Sequence, residues 1–272
     1  MSNIGRVRRW RRFTHPASGR ALIVPIDHGL TLGPIEGLNR LGDMRQWLDS
    51  GELTGVVMHK GMVDHLGGAA TIGLLVHLNG AVNIGDPVQV VAPPIKVRLA
   101  SIEAAISLGA DAVSVHLDMG GQWGSHYLSL LGEVVDEAHT LGLPVLAMLY
   151  DKTPGAAPDD VSRQRHFMRA AAEIGADVLK VQPPSDLSQL PQLLDGFDYV
   201  PVLFAGGEPR ADRDPLALAL AVAQHGGAGL CVGRNVFQRA NPVACLRELG
   251  HALHQGIAAK ATVTRSFVEE MS

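Results

Sequence analysis

The sequence predicts an α/β protein built as one closed (β/α)8 barrel, a TIM barrel. Eight short apolar runs rich in β-branched residues alternate with amphipathic helical segments along the 272 residues. Most runs are continuously apolar, which is typical of parallel strands covered on both faces. Polar residues follow many of the runs, whereas an open doubly wound sheet concentrates them at one switch point. The number of strands, the length of the chain and the distribution of polar residues over many strand ends all favour the barrel.

The eight predicted strands follow one another at fairly regular spacing. They cover residues 21–27, 54–60, 72–78, 111–118, 144–150, 177–182, 201–207 and 228–233. The segment 61–95 has little helical pattern, and we interpret it as a long active-site loop that carries the short third strand.

One phrase occurs three times, as "SLGADAVSVH", "EIGADVLKVQ" and "QHGGAGLCVG". Each copy indicates a helix end, a glycine-containing turn and then a buried strand. The helices between strands open with Ser125, Asp159–Asp160 or Asp214, residue types that cap helix N-termini.

No shift in composition divides the chain into domains. We therefore expect a basic arm at 1–20, one barrel at 21–255 and a tail at 256–272. Val7, Trp10 and Phe13 lie roughly on one helical face of the arm. We interpret the arm as a helix packed on the barrel, and an RNA- or lipid-binding tail is the alternative.

Bulk properties argue against several classes of protein. The net charge of −4 disfavours a general nucleic-acid or membrane-surface binder. Arg20, Asp27 and His28 interrupt any signal peptide, and no apolar run is long enough to span a bilayer. Cys231 and Cys245 lie in apolar settings without a CxxC pattern, which indicates reduced core thiols and a cytoplasmic protein.

Lys180 stands in the middle of the apolar run "GADVLKVQPP". Because strand side chains alternate, Val178, Lys180 and Gln182 share the face opposite Leu179 and Val181. Burial in the barrel is expected to lower the lysine pKa from about 10.4 to about 7–8, which favours attack on a carbonyl and a Schiff base. The alternative is a structural lysine paired with a carboxylate. Lys60, at the end of the second run, is the rival.

Further polar groups end other strands. Tyr150 ends the fifth strand beside the lysine strand, as a proton-transfer group or a rim aromatic. Asp27 and His28 end the first strand; Asp27 is interpreted as a group that holds the lysine or substrate rather than an N-cap, since Gly29 follows. His116 and Asp118 end the fourth.

Glycines follow the last two strands. Gly206 and Gly207 end the seventh, and Gly233 and Arg234 follow the eighth. Loops at these positions of a barrel recurrently bind phosphate through backbone N–H groups. Tight turns that need glycine are the alternative.

The twelve histidines raise the question of a metal. His59, His65, His77 and His116 do not form HxH or HExxH spacing. A zinc-dependent enzyme is thus the less favoured alternative, and we predict neither metal nor cofactor.

The ordered motifs "ALIVPIDHGLTLGPIEGL", "VVMHKG", "GADAVSVHLDMG", "LAMLY", "GADVLKVQ", "FAGG" and "VGRNVFQ" resemble one family. It is the archaeal-type class I fructose-bisphosphate aldolase family, which includes the aminodideoxyheptulosonate synthases. The resemblance spans about residues 20–250. It implies a barrel assembled into a large homo-oligomer, such as a decamer, and no metal.

The same resemblance assigns roles to residues. It implies a Schiff-base lysine at Lys180, an acid/base tyrosine at Tyr150 and an aspartate at Asp27. It places phosphate at the two glycine loops and Arg234, with His28 and His116 as further substrate-binding candidates.

One departure concerns the second substrate. Many family members continue after the tyrosine as "YPRG", whereas this chain reads "YDKTPG". Similar chains in aminohydroxybenzoate pathways join dihydroxyacetone phosphate to aspartate semialdehyde, and we favour that reaction. A fructose-bisphosphate aldolase, an aminodideoxyheptulosonate synthase, an acyl-transferring relative and a non-catalytic phosphosugar-binding barrel remain alternatives.

Overall fold

A computed structural model describes residues 4–67, 72–82, 94–157, 159–208 and 214–255. Eight parallel strands form a closed barrel, in which each pairs with the next along the chain and the last returns to the first. The strands are β1 (Ala21–Pro25), β2 (Gly55–His59), β3 (Gly73–His77), β4 (Ala112–Met119), β5 (Val145–Asp151), β6 (Val178–Val181), β7 (Val202–Ala205) and β8 (Gly229–Cys231). The predicted (β/α)8 barrel is confirmed.

Helices surround the barrel and connect its strands. They are α1 (Ile4–Trp10), α2 (His28–Leu32), α3 (Leu41–Leu48), α4 (Lys60–Leu66), α5 (Ile102–Ser107), α6 (Gly124–Thr140), α7 (Val161–Ile174), α8 (Leu190–Leu194), α9 (Pro215–His225), α10 (Arg234–Phe237) and α11 (Pro242–Gln255). The interpretation of 61–95 as one long loop is wrong in its first part, because Lys60–Leu66 is helical. Residues 68–71 and 83–93 lie outside the described residues. Asn79–Gly80 and Val97–Arg98 form a small antiparallel ribbon.

Side-chain alternation separates two cores. Val178 belongs to the small cluster inside the barrel, whereas Leu179 and Val181 pack in the larger layer between strands and helices. Lys180 therefore projects toward the barrel interior, as the alternation predicted.

The repeated phrase has the predicted local structure. Gly109, Gly175 and Gly226 each have a left-handed φ, at 82°, 113° and 84°, between a helix and the next strand. Asp160 and Asp214 cap α7 and α9 through backbone N–H groups. The prediction of a Ser125 cap is wrong, because α6 starts at Gly124 after Trp123, which makes no side-chain cap.

The N-terminal arm lies across the amino ends of the strands. Phe13, in the short 3₁₀ turn Arg11–Phe13, is fully buried, and Trp10 stacks on it at 5.2 Å. A Cβ atom added at Gly55 or Gly73 would lie 2.5 Å from Phe13 Cδ1, so both glycines make room for this ring.

Arginines of the arm pair with the aspartates of the repeated phrase. Arg6 lies 2.6 Å from Asp177, and Arg12 lies 2.5 Å from Asp111. Phe13 and these ion pairs thus close the amino end of the barrel. The predicted tail at 256–272 lies outside the described residues. Within the described ranges, no helix has both the length and the apolar character needed to cross a bilayer.

Candidate active site

Lys180 lies on β6 near the carboxyl end of the barrel, with 5% of its surface exposed. Its Nζ atom is 3.8 Å from Sδ of Met148, its register partner on β5. Cys231 of β8 belongs to the same inner cluster as Met148. The amine therefore lies beside an apolar, sulfur-containing part of the barrel interior.

Asp27 lies directly after β1 and before α2. Helix α2 does begin at His28, contrary to the expectation from Gly29, but the Asp27 side chain makes no capping hydrogen bond. Its Oδ1 is 3.5 Å from His28 Nδ1, and its Oδ2 is 3.7 Å from His77 Nε2. The carboxylate is thus held between two imidazole rings.

The sequence predicted a lowered pKa for Lys180, and this prediction is wrong. Burial by itself lowers the pKa, but Cys231, Tyr150 and Asp27 oppose that effect, and the net pKa is raised. Asp27, in the loop after β1, thus stabilises the ammonium form near neutral pH, whereas Cys231 and Tyr150 act on it in this way only as anions.

Asp27 is the anion among these neighbours. Burial raises the pKa values of Tyr150 and Cys231, which are therefore neutral near pH 7. Burial would also raise the pKa of Asp27, but His77, His28, Lys180 and His59 outweigh it and the pKa lies well below its usual value. The site thus contains a lysine ammonium and an aspartate carboxylate that interact electrostatically.

Tyr150 lies two residues beyond Met148 on β5, so it shares the inward face. The ring of His116 stacks on it. His116 Nε2 is 2.9 Å from Asp118 Oδ1, and the Lys96 ammonium donates to Asp118 Oδ2 at 2.6 Å. Burial would raise the pKa of Asp118, but these two contacts hold it well below the usual value.

The glycine loops after β7 and β8 are in contact. A Cβ atom at Gly206 would lie 2.5 Å from Asn235 Nδ2, and that amide donates to the carbonyl of Gly207 at 3.3 Å. A Cβ atom at Gly233 would lie 2.8 Å from Cε1 of His28. His28 therefore lies between Asp27 and these loops.

Arg234 begins α10 at the same corner. Its guanidinium lies 3.1 Å from the exposed carboxylate of Glu208, and its Nε atom is buried without a hydrogen-bond partner. An anion bound here has to compete with Glu208 for this side chain.

The structure brings all nine predicted site residues to the carboxyl end of the barrel. Lys60, the rival lysine, is exposed at the start of α4.

Sequence reasoning missed His77, Ser114, Lys96 and Asn235. The "VGRN" motif carried a signal for Asn235, and the remaining three needed the strand register or the loop path. In the part of the chain that the structure describes, no three His, Cys, Asp or Glu side chains are grouped as metal ligands.

Comparison with known families decides the classification. A family model described as "DeoC/LacD family aldolase" matches residues 21–239, most of the chain. The chain belongs to the DeoC/LacD aldolase family. This aldolase is accordingly an enzyme of carbon–carbon bond formation or cleavage.

Two curated relatives of this aldolase have biosynthetic names. It is 32% identical over 267 residues to the 2-amino-3,7-dideoxy-D-threo-hept-6-ulosonate synthase of Halobacterium salinarum, with 98% of each chain covered. It is 31% identical over 250 residues to the 2-amino-4,5-dihydroxy-6-oxo-7-(phosphonooxy)heptanoate synthase of Streptomyces griseus, which covers 90% of this chain and 89% of that one.

Solved structures show the same fold. An archaeal fructose 1,6-bisphosphate aldolase superposes with a TM-score of 0.80 at 23% identity, over 92% of this chain and 99% of that chain. A second archaeal aldolase, with its catalytic lysine covalently bound to the carbinolamine intermediate of the substrate, gives a TM-score of 0.79 at 24% identity, over 91% and 99%.

Proposed function

We propose that this protein is a metal-independent class I aldolase that condenses dihydroxyacetone phosphate with L-aspartate 4-semialdehyde. The product is 2-amino-4,5-dihydroxy-6-oxo-7-(phosphonooxy)heptanoate. The observation that carries the proposal is a buried lysine at the carboxyl end of the barrel, with Asp27 and Tyr150 in electrostatic contact with it. The name of the Streptomyces griseus relative supports this choice of product.

Lys180 is the nucleophile in this proposal. Asp27 takes a proton from the ammonium group, and the neutral amine attacks the ketone carbon while the carbonyl oxygen gains a proton. The carbinolamine loses water to give an iminium ion. Binding of a phosphorylated ketone above Lys180 displaces solvent and brings the carbonyl to the amine, which favours this transfer.

Tyr150 moves the protons of the next steps. Tyr150 gives its proton to the leaving hydroxyl of the carbinolamine, and the resulting phenolate takes a proton from the carbon beside the iminium to give an enamine. The electron pair of the enamine forms the new bond to the aldehyde carbon. The developing alkoxide takes a proton from the acid/base group, and water then hydrolyses the product iminium to free Lys180. The protonated imine nitrogen accepts the electron pair when the enamine forms during condensation, and also when the carbon–carbon bond breaks in the reverse reaction.

The phosphate binds at the loops after β7 and β8. Backbone N–H groups at Gly206, Gly207 and Gly233 supply donors, and Arg234 exchanges Glu208 for the phosphate. His28 lies beside Gly233 and faces the same corner.

The acceptor aldehyde meets the rim after β5, where this chain departs from "YPRG". Asp151 there accepts the backbone N–H of Thr153 at 2.9 Å and pairs with Arg163 at 2.5 Å, which shapes the loop. A cavity of about 410 Å³ lies beside Tyr150 and is lined by Lys152, an exposed cation. In this proposal Lys152 binds the carboxylate of aspartate semialdehyde, and the carboxylates of the same lining, Asp151, Asp159 and Asp160, face its ammonium group.

An aminodideoxyheptulosonate synthase is the second candidate function. It is favoured by the similarity to the Halobacterium salinarum relative, which extends over 98% of both chains. The two reactions use different substrates, so product mass distinguishes them.

The test is incubation with dihydroxyacetone phosphate and a panel of aldehydes, with and without borohydride. We expect an aldol product with aspartate semialdehyde, a reduced adduct on Lys180, and unchanged activity in EDTA. Lys180→Met should lose turnover and adduct, whereas Lys60→Met, at an exposed lysine, should retain both. An active Lys180→Met enzyme that EDTA inactivates would refute the proposal.

A further inference from the structure

We propose that His77 is a positioning residue for Asp27 and that Ser114 fixes the tautomer in which it acts. The inference rests on the proposed function, because Asp27 is the group that exchanges a proton with Lys180 there. It extends that function to two buried residues that do not touch the substrate.

His77 and Ser114 are register partners on β3 and β4. His77 is 4% exposed, and Ser114 is fully buried. The Nδ1 atom of His77 lies 2.8 Å from Ser114 Oγ, and its Nε2 atom lies 3.7 Å from Asp27 Oδ2. Nδ1 is thus within hydrogen-bond distance of Ser114, whereas the 3.7 Å contact of Nε2 with Asp27 is longer than a hydrogen bond and acts through the N–H dipole.

The chemistry of the partners decides where the proton lies. A carboxylate only accepts hydrogen bonds, so Nε2 carries the proton that faces Asp27. The Nδ1 atom then has a free lone pair, and the Ser114 hydroxyl donates to it. Burial lowers the pKa of His77 to about 3 despite the Asp27 carboxylate, so the ring is neutral at working pH. Neutral His77 directs one N–H at one oxygen of Asp27.

The orientation of the Asp27 carboxylate depends on these neighbouring side chains, because no capping hydrogen bond to the local backbone fixes it. Asp27 lies outside β1, at the N-cap position of α2. His28 approaches one carboxylate oxygen from the loop side, and His77 approaches the other from inside the barrel. The titratable groups that act on His77 are Asp27, His59, His116 and Lys180. The ring of His59 packs edge-on at 5.2 Å and keeps His77 in place.

This arrangement predicts a defect at one chemical step. Without the N–H of His77 in its present tautomer, the carboxylate is free to rotate away from Lys180. Formation of the iminium should slow, whereas phosphate binding at the distant loops should be unaffected. The effect should therefore appear in kcat and in the rate of adduct formation, with little change in KM for dihydroxyacetone phosphate.

The experiment compares His77→Gln, Ser114→Ala, the double variant and Ser114→Thr, all in the full-length protein. Adduct formation with dihydroxyacetone phosphate is followed by rapid quenching into borohydride, together with kcat, KM and urea unfolding. We expect His77→Gln and Ser114→Ala each to slow adduct formation on the order of tenfold, because each removes a contact that positions a reacting group. The double variant should be no slower than His77→Gln, and Ser114→Thr should restore most of the rate.

Thr54→Val is the control for loss of a hydrogen-bonded hydroxyl at a half-buried position. The Thr54 hydroxyl binds the backbone of Leu22, at the amino end of the barrel far from the carboxyl-end site. This variant should lose stability and keep the wild-type rate of adduct formation. Multiplying effects in the double variant, or lower stability with an unchanged adduct rate, would overturn the inference. Absence of any adduct in the wild-type protein would instead contradict the proposed function.

Discussion

The ring of His116 lies flat against the ring of Tyr150, with centroids 4.1 Å apart and planes 9° apart. Asp118 fixes the edge of the imidazole, and Lys96 in turn fixes Asp118. The main chain of His116 is also held, because the Asn79 side chain makes paired hydrogen bonds to its backbone N–H and carbonyl. The orientation of Tyr150 is thus set by a ring whose own position is fixed on every side.

Replacement of His116 should therefore impair Tyr150 indirectly. We expect His116→Ala to lower kcat by roughly 10- to 100-fold, because a small misplacement of a reacting group has a cost of this size. His116→Phe retains the stacking surface and should recover a large part of the loss. Steady-state kcat measures both variants, and equal losses would show that the stacking is unimportant.

Tyr150→Phe should separate the two halves of the reaction. The variant keeps the ring and loses the hydroxyl, so it should still form the adduct with dihydroxyacetone phosphate slowly. Carbon–carbon bond formation should fall by about 10²–10⁴-fold, the usual contribution of a general acid or base. Borohydride trapping and product release, measured on the same sample, report the two steps. Full aldol activity in this variant would remove Tyr150 from the mechanism.

Gly206→Ala should weaken ketone binding. The new methyl group would lie 2.5 Å from Asn235 Nδ2 and 3.1 Å from Val232 Cγ1, so Asn235 has to leave the Gly207 carbonyl. We expect KM for dihydroxyacetone phosphate to rise on the order of tenfold, about 1.4 kcal/mol. Gly42→Ala, at an exposed helical glycine with open space around it, is the control and should leave KM unchanged.

Phe13→Ala should lower the free energy of unfolding. The ring is fully buried against Gly55 and Gly73, and removal of a buried Phe ring typically costs about 3–5 kcal/mol. Urea denaturation measures the change. Trp123→Ala is the comparison, since that aromatic ring is 42% exposed and its loss should matter little. Similar stabilities for the two variants would show that Phe13 does not seal the barrel.

Stability should fall in mild acid through His254. Burial, together with His15 and Arg20, lowers the pKa of His254 from 6.5 to about 4. Between these values the unfolded chain binds the proton and the folded chain does not, so stability decreases as the pH falls from 6.5 toward 4. His254→Gln should reduce the slope of this dependence in urea melts at several pH values, and the remaining slope comes from other buried histidines such as His77. His251→Gln, an exposed histidine of the same helix, should leave it as in the unaltered protein.

Alternation along strands was sufficient to predict much of this site. It placed Lys180 inside the barrel and Tyr150 on the neighbouring strand. These two placements require only the alternation of side chains along one strand and the order of the strands in the barrel. The raised pKa of Lys180 was not predictable in the same way. Its causes come from β5, β8 and the loop after β1, which only closure of the barrel brings together.

His77 illustrates the other limit of sequence reasoning. It stands in an apolar run as an ordinary buried histidine, and its role depends on Ser114, thirty-seven positions away on the next strand. Lys96 reaches Asp118 across 22 positions and follows a segment without a clear helical pattern. Pairs of this kind arise from the register between strands and from the loop path, which local periodicity does not contain.

The aromatic seal formed by Phe13 has a kinetic consequence. With the amino end shut, both reactants and the product of the proposed reaction pass through the opening at the carboxyl end, below which Lys180 lies. A bound aldehyde would obstruct the path of the ketone to that depth. We therefore expect compulsory ordered addition, ketone before aldehyde, with the aldehyde acting as a substrate inhibitor when it arrives first.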